Sequence, residues 1–189
     1  MDVRPFLDDD AALPGLDVAG LVLRRIRRQD APDWYAYLRD EAVTRHTSWR
    51  LDGVADLESL IDTYLAGHPG GPVRLAIADA AGGRLRGTIG LNEIAAAHGR
   101  AEIAYDLAPE LWNRGVASRA CAAVAGWALQ SLGLWRVQAT VLDANLASCR
   151  VLERCGFRRE GLLAGYRLVR GQPRDFWMYA LTRDMLPKP

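Results

Sequence analysis

The sequence predicts an α/β protein built on a mixed β-sheet, and three observations carry that expectation. Short apolar runs rich in β-branched residues alternate with stretches of helical spacing along most of the 189 residues. Three of these runs, at 73–78, 85–92 and 101–107, follow one another across short turns, which makes an antiparallel meander. A long helical stretch then separates Leu107 from the run that begins at Arg136, and a strand–helix–strand connection lays its two strands parallel.

The elements follow in order. Residues 1–20 hold Asp8-Asp9-Asp10, Pro5 and Pro14 and read as a loose N-terminal arm. Residues 21–26 form the first strand. Asp30 caps a helix whose first turn tolerates Pro32, with Trp34, Tyr37 and Leu38 as its apolar stripe. A short helix and a loop cover 41–49. A further helix runs over 56–66, where Leu57, Leu60, Ile61, Tyr64 and Leu65 recur at helical spacing. After the meander, 116–132 is the long helix, with Val116, Ala120, Ala123, Val124, Trp127 and Ala128 on one face. Residues 136–142 are a buried strand that Trp135 leads into as a core residue, and 145–155 are a second helix. Gly156-Phe157 starts a strand to about residue 169, Gly171-Gln172-Pro173 turns the chain, and 175–181 is the last strand. No internal repeat or linker divides the chain, so 21–185 reads as a single domain.

Composition excludes several classes. With 24 basic and 23 acidic residues the net charge is +1, and no basic block marks a nucleic-acid surface. No apolar run reaches membrane-spanning length, and the first residues are acidic rather than signal-like. Cys121, Cys149 and Cys155 are odd in number and form no CxxC pair, which points to reduced thiols packed in the core of a cytoplasmic protein. His46, His68 and His98 are scattered, so no metal site is expected.

The most informative stretch is Trp112-Asn113-Arg114-Gly115-Val116-Ala117-Ser118, between a strand and the long helix. A turn of small residues there leaves backbone N–H groups unpaired, and with the positive end of the helix dipole they make an anion site. Gly115 lets the backbone approach a phosphate. Neither G-x-x-x-x-G-K-[ST] nor an early G-x-G-x-x-G is present, which argues against a P-loop nucleotidase and a Rossmann dinucleotide site.

Four segments in this order resemble the GNAT superfamily of acyl-CoA-dependent N-acetyltransferases, over about residues 20–185. Glu102-Ile103-Ala104-Tyr105-Asp106-Leu107 is similar to its central strand, and Trp112-Asn113-Arg114-Gly115-Val116-Ala117 to its pyrophosphate loop. Asn145, Ser148, Leu152 and Gly156-Phe157 match N-x-x-S-x-x-x-L-x-x-x-G-F, and Gly171-Gln172-Pro173-Arg174-Asp175 resembles its last hairpin turn. The tryptophan at 112 points to the branch of the bacterial ribosomal-protein alanine and serine N-terminal acetyltransferases, the RimJ/RimL-like branch.

That resemblance implies a six- to seven-stranded, mostly antiparallel sheet with a parallel central pair and helices on both faces. It implies acetyl transfer from acetyl-CoA to a primary amine, first of all a protein N-terminal α-amino group, by direct attack in a ternary complex. A small-molecule amine such as an aminoglycoside, a polyamine or an amino-acid analogue is the alternative acceptor. A non-catalytic acyl-CoA-binding module and a succinyl donor are the remaining readings. Asn113, Arg114, Gly115, Val116, Ala117 and Ser118 would dock the cofactor phosphates, with Arg119 beside them. Tyr105 lies on the strand that polarises the thioester, and Asn145 and Ser148 meet the pantetheine and the sulfur. Leu152 stands where many members carry an acidic tyrosine, which leaves Ser148 as the nearest proton donor. Glu102 is the first candidate for the base, with Arg100 or Arg119 as partners if it is structural; Glu93 and Glu41 are weaker alternatives. Trp49 and Glu93 would contact the acceptor, and Glu41, Asp52, Asp56, Glu58 and Asp62 hint at an acidic groove. No metal is implied, and the chain is expected to be a monomer or homodimer.

Overall fold

A computed structural model describes residues 12–47, 50–68 and 70–186. Seven strands form one sheet: β1 (Leu21–Arg25), β2 (Val73–Asp79), β3 (Leu85–Ala95), β4 (Arg100–Leu107), β5 (Arg136–Leu142), β6 (Arg158–Val169) and β7 (Gln172–Thr182). Their spatial order is β1-β2-β3-β4-β5-β7-β6, and every neighbouring pair is antiparallel except β4 and β5. The parallel pair sits where the helical crossover required it.

Helices cover both faces. On one side α4 (Val116–Gln130) and α5 (Leu146–Arg154) pack on the sheet, with Val116, Ala120, Val124 and Ala128 in the same cluster as Leu75, Ile89, Ile103 and Val137. On the other side lie α1 (Ala31–Leu38), the single turn α2 (Glu41–Thr44) and α3 (Val54–Ala66). Trp34, Tyr37, Leu57 and Ile61 bury against Ala76 and Leu85 there. The helical periods predicted both apolar stripes, although Leu65 and Ala123 turn partly to solvent. Cys121 and Cys149 are buried, and the half-buried Cys155 donates its thiol to Ser118 O at 3.2 Å. No helix among the described residues is long and apolar enough to cross a membrane.

Several local expectations change. Asp30 occupies the N-cap of α1, but its carboxylate does not cap the helix. It accepts two bonds from Arg24, at 2.7 and 2.8 Å, and one from the Arg27 N–H at 2.8 Å. A buried guanidinium outcompetes a helix terminus for a carboxylate because it is the costlier group to leave unpaired. The last hairpin turns at Arg170-Gly171, one step earlier than expected, and Pro173 is already paired with Leu168. Both turn residues have positive φ, 52° and 78°, the two-residue geometry that matches strand twist. Trp135 is 63 % exposed rather than core, lying against the Arg183 guanidinium just before β5. Residues 12–20 are not loose: Leu13, Leu16 and Val18 pack on the core, the Trp127 indole donates to Ala12 O at 3.0 Å, and Arg119 pairs with Asp17 at 2.8 Å.

Candidate active site

The sheet opens at its middle. β4 and β5 share three rungs, Arg100 with Arg136, Ala101 with Val137 and Glu102 with Gln138, and then part. Each strand stays paired on its outer side, β4 with β3 as far as Leu107 and β5 with β7 as far as Leu142. The inner edges beyond Glu102 therefore face a gap. In an antiparallel ladder alternate residues bond to the same neighbour. Ala108 N–H bonds to Arg86 O, so Asp106 and Ala104 also point to β3, and Tyr105 presents its N–H to the gap. At the far end the Trp112 indole donates to Leu107 O at 3.0 Å and closes that edge.

A cavity of about 210 Å³ fills the opening and reaches both faces of the sheet. On the α4–α5 side it is lined by Tyr105, Ala139, Asn145 and Ser148. The Tyr105 hydroxyl lies 2.9 Å from Ser148 Oγ. Burial pushes the Tyr105 phenol up, so it stays neutral and serves as a hydrogen-bond partner. Asn145 N-caps α5, its Oδ1 accepting from Ser148 N–H at 3.2 Å, which fixes Ser148 at the cavity wall.

On the opposite side the wall is charged. Glu102 is 4 % exposed. Its Oε1 accepts from Thr140 Oγ1 at 2.9 Å and from Arg167 at 3.2 Å, and its buried Oε2 has no partner among the described residues. Burial raises the Glu102 carboxyl above the ordinary carboxylate range against the pull of Arg167 and the Thr140 hydrogen bond. Its partner is thus Arg167 on β6, neither Arg100 nor Arg119. Asp106 accepts from Tyr37 OH, from Trp34 Nε1 at 3.1 Å and from Thr88 Oγ1 at 2.7 Å. Burial raises its pKa too, opposed by those bonds and by Arg74. Arg74, 7 % exposed, donates to Ala104 O at 2.9 Å and to Asn92 Oδ1 at 3.1 Å. It reaches across Gly90, where a Cβ would stand 1.9 Å from Val73 O. His46 also lines the cavity, its pKa lowered by burial and then by Arg45 and Arg174.

The structure thus gathers Glu102, Tyr105, Asn145 and Ser148 of the predicted residues at one cavity. Asn113 to Ser118 form a separate cradle at the N-terminus of α4. Asn113 and Gly115 both have positive φ, 60° and 76°, which turns successive amides outward. A Cβ on Gly115 would meet nothing within 4 Å, so the site is open and glycine is needed there for its backbone angle. Val116 is buried, so only its backbone can meet a ligand, and Arg114 is exposed. Glu93 sits at the β3 bulge with φ 47°, 4.0 Å from Arg167, beside the cavity rather than in its wall. Trp49 lies outside the described residues. Four of the five acidic residues expected to mark an acceptor groove are engaged: Asp56 accepts from the Asp52 and Gly53 N–H groups, Glu58 and Asp62 hold Arg28, and Glu41 holds Arg170. Sequence reasoning missed Arg74, Asn92, Asp106 and Arg167. A charged residue inside an apolar strand run was the available signal for Arg74 and Asp106.

Comparison with known proteins agrees with this geometry. A family profile described as an acetyltransferase (GNAT) domain matches residues 20–158. An uncharacterised N-acetyltransferase of Bacillus subtilis, YoaA, is 35 % identical over 174 residues, 90 % of this chain and 97 % of the relative. RimJ of Mycobacterium smegmatis, solved with CoA-disulfide, superposes with a TM-score of 0.78 at 29 % identity, covering 89 % of this chain and 84 % of that one. A Vibrio cholerae spermidine N-acetyltransferase, solved with CoA and spermine, gives 0.77 at 22 % identity over 89 % and 98 %, a likeness of fold alone.

Proposed function

The chain belongs to the GNAT acetyltransferases, and from that premise we propose that it moves the acetyl group of acetyl-CoA to a primary α-amino group in one ternary complex. The observation that carries this reading is Glu102. It is a buried carboxylate with an uncommitted oxygen, at the point where β4 and β5 part and across the cavity from Ser148. Such a group, its pKa raised by burial, accepts a proton more readily than an ordinary carboxylate.

The cradle at Asn113, Arg114, Gly115, Val116, Ala117 and Ser118 fits a pyrophosphate, and the outward Tyr105 N–H, Asn145 and Ser148 fit the chain that leads from it to the gap. Acetyl-CoA brings the activated acetyl thioester. The Tyr105 N–H donates to the carbonyl oxygen as charge builds there. Glu102 takes the proton that the acceptor ammonium must lose, directly or through water. The new N–C bond forms, the C–S bond breaks, Ser148 Oγ, held by Tyr105, hydrogen-bonds the departing sulfur, and the thiolate leaves as a thiol by taking the second proton that the nitrogen sheds after attack, directly or through water. Glu93 and Trp49 contact the outer part of the acceptor. Residues 21–185 act as one acyltransferase domain, with 12–20 packed against it. A protein N-terminus is the acceptor that the resemblance to the ribosomal-protein N-terminal acetyltransferases suggests; the cavity wall carries Glu102 and Asp106 beside Arg74 and Arg167, so it is not the uniformly acidic wall that would favour a polycation such as spermine.

The test is Glu102→Gln, assayed for kcat/KM between pH 5.5 and 9 with N-terminal peptides and small amines. The wild-type rate should rise as Glu102 ionises, and the variant should lose that limb and about 100-fold in rate. An unchanged pH–rate profile would remove Glu102 from the role of base.

A further inference from the structure

We propose that Arg74 binds a carboxylate on the acceptor, so that this enzyme acetylates a free α-amino acid; the inference rests on the acetyl-transfer reading above. Two incompletely paired groups of opposite sign stand in one cavity wall, although Arg74 also lies over the Tyr64 ring, 5.5 Å from its centroid. One is Glu102 Oε2, an acceptor without a donor among the described residues. The other is the Arg74 guanidinium. It has five N–H donors and makes two hydrogen bonds, both to neutral oxygens, and its buried Nε has none. No carboxylate lies within ion-pair distance of Arg74 among the described residues. Asp106, the nearby acid, is already engaged by Tyr37, Trp34 and Thr88.

The two groups are neighbours. Asn92 holds one arm of Arg74 and is the cross-strand partner of Glu102. Directly opposed residues in an antiparallel pair bring their Cβ atoms within about 5 Å. Arg74, Asn92 and Glu102 thus line one wall of one cavity, so a single acceptor can present an anion to Arg74 and an ammonium to Glu102. An α-amino acid carries both groups. A buried guanidinium without a counter-ion is costly, and a bound carboxylate relieves that cost with a paired hydrogen bond. Leu38, Val43, Leu142 and Phe176 supply an apolar wall of the same cavity, suited to an aliphatic or aromatic side chain. A protein N-terminus carries an amide where this pair of groups calls for a carboxylate.

The experiment compares initial rates with acetyl-CoA for the α-amino acids and their amides, in the wild type, Arg74→Gln and Arg74→Lys. At least one free acid should exceed its amide by 10-fold or more in kcat/KM, mostly through KM. Arg74→Gln should bring that ratio towards one, and Arg74→Lys should restore part of it. A merely structural role, through the bond to Ala104 O, would lower acid and amide together and leave the ratio unmoved. Amides or N-terminal peptides outrunning every free acid would overturn the inference and leave acetyl transfer standing. Amides acylated faster from succinyl-CoA than from acetyl-CoA, with loss of that preference in Arg74→Gln, would put the carboxylate on the donor and overturn it equally. No transfer to any amine, with acetyl-CoA still stabilising the protein against heat, would overturn both readings.

Discussion

Glu102 and Asp106 are both carboxylates set into a sheet, yet they are satisfied to different degrees. Asp106 is fully engaged by three donors, Tyr37, Trp34 and Thr88. Replacing it with alanine strips the acceptor from the buried Thr88 and Tyr37 hydroxyls, at about 1–3 kcal/mol for each. Differential scanning calorimetry of Asp106→Ala should show Tm lower by roughly 4–8 °C or more. Glu102 keeps one oxygen uncommitted, and its raised pKa has a thermodynamic signature. The folded chain holds this proton more tightly than the unfolded one. The stability that the group contributes is therefore complete below the unfolded value of about 4.3 and is lost as pH rises through the higher folded value. Denaturant melts across that range should find the wild type losing stability relative to Glu102→Gln as pH increases. A constant difference would mean that the folded carboxyl is not raised. Asp106 is shifted in the same direction in both proteins, so it cancels from the comparison.

At the scale of elements, two local devices hold the cavity's surroundings. Arg24 on β1 and Asp30 at the start of α1 form a buried two-bond pair, and Arg24 also donates to Gly83 O in the β2–β3 turn at 2.6 Å. One ion pair thus ties strand, helix and hairpin. Asp30→Ala leaves a buried guanidinium and should cost about 3–5 kcal/mol, while the double change Arg24→Met with Asp30→Leu should recover most of it. A double-mutant cycle by urea unfolding measures both. The second device is the entry to α4. Gly115 at φ 76° takes a conformation that costs other residues about 1–2 kcal/mol. Gly115→Ala should raise KM for acetyl-CoA more than it alters kcat, because it disturbs the cradle and leaves the cavity intact. An unchanged KM would exclude the loop from cofactor binding.

For the molecule as a whole, the binding reading predicts coupling between ligand and global stability. A ligand at about 100 times its dissociation constant stabilises the native state by about 2.7 kcal/mol. Acetyl-CoA and CoA should therefore raise Tm by roughly 5–11 °C, and NADH should leave it in place. No shift with saturating acetyl-CoA would remove the cradle at Gly115 from any cofactor role. The cavity is lined by residues from both faces of the sheet, Asn145 and Ser148 on one side and Leu38 and Val43 on the other.

The sequence by itself determined the elements and the family. Hydrophobic period set the strands and helices, a helical crossover required β4 and β5 to be parallel, and the order of four short motifs identified the acetyltransferase resemblance. It also named Glu102, Tyr105, Asn145 and Ser148, which the structure brings to one cavity, because each lies in a motif where strand or helix phase is legible. Tertiary structure alone decided that β4 and β5 part after Glu102 and so where the cavity lies. It alone chose Arg167 as the partner of Glu102, engaged Asp106 with three donors, and left Arg74 with no carboxylate at ion-pair distance among the described residues. It also paired Glu41, Glu58 and Asp62 with arginines and exposed Trp135. The physical reason is range. Periodicity and capping act between residues three or four apart, whereas Glu102 and Arg167 are separated by 65 residues and Arg74 and Ala104 by 30. Which charges are left unpaired depends on contacts that exist only once the sheet is assembled.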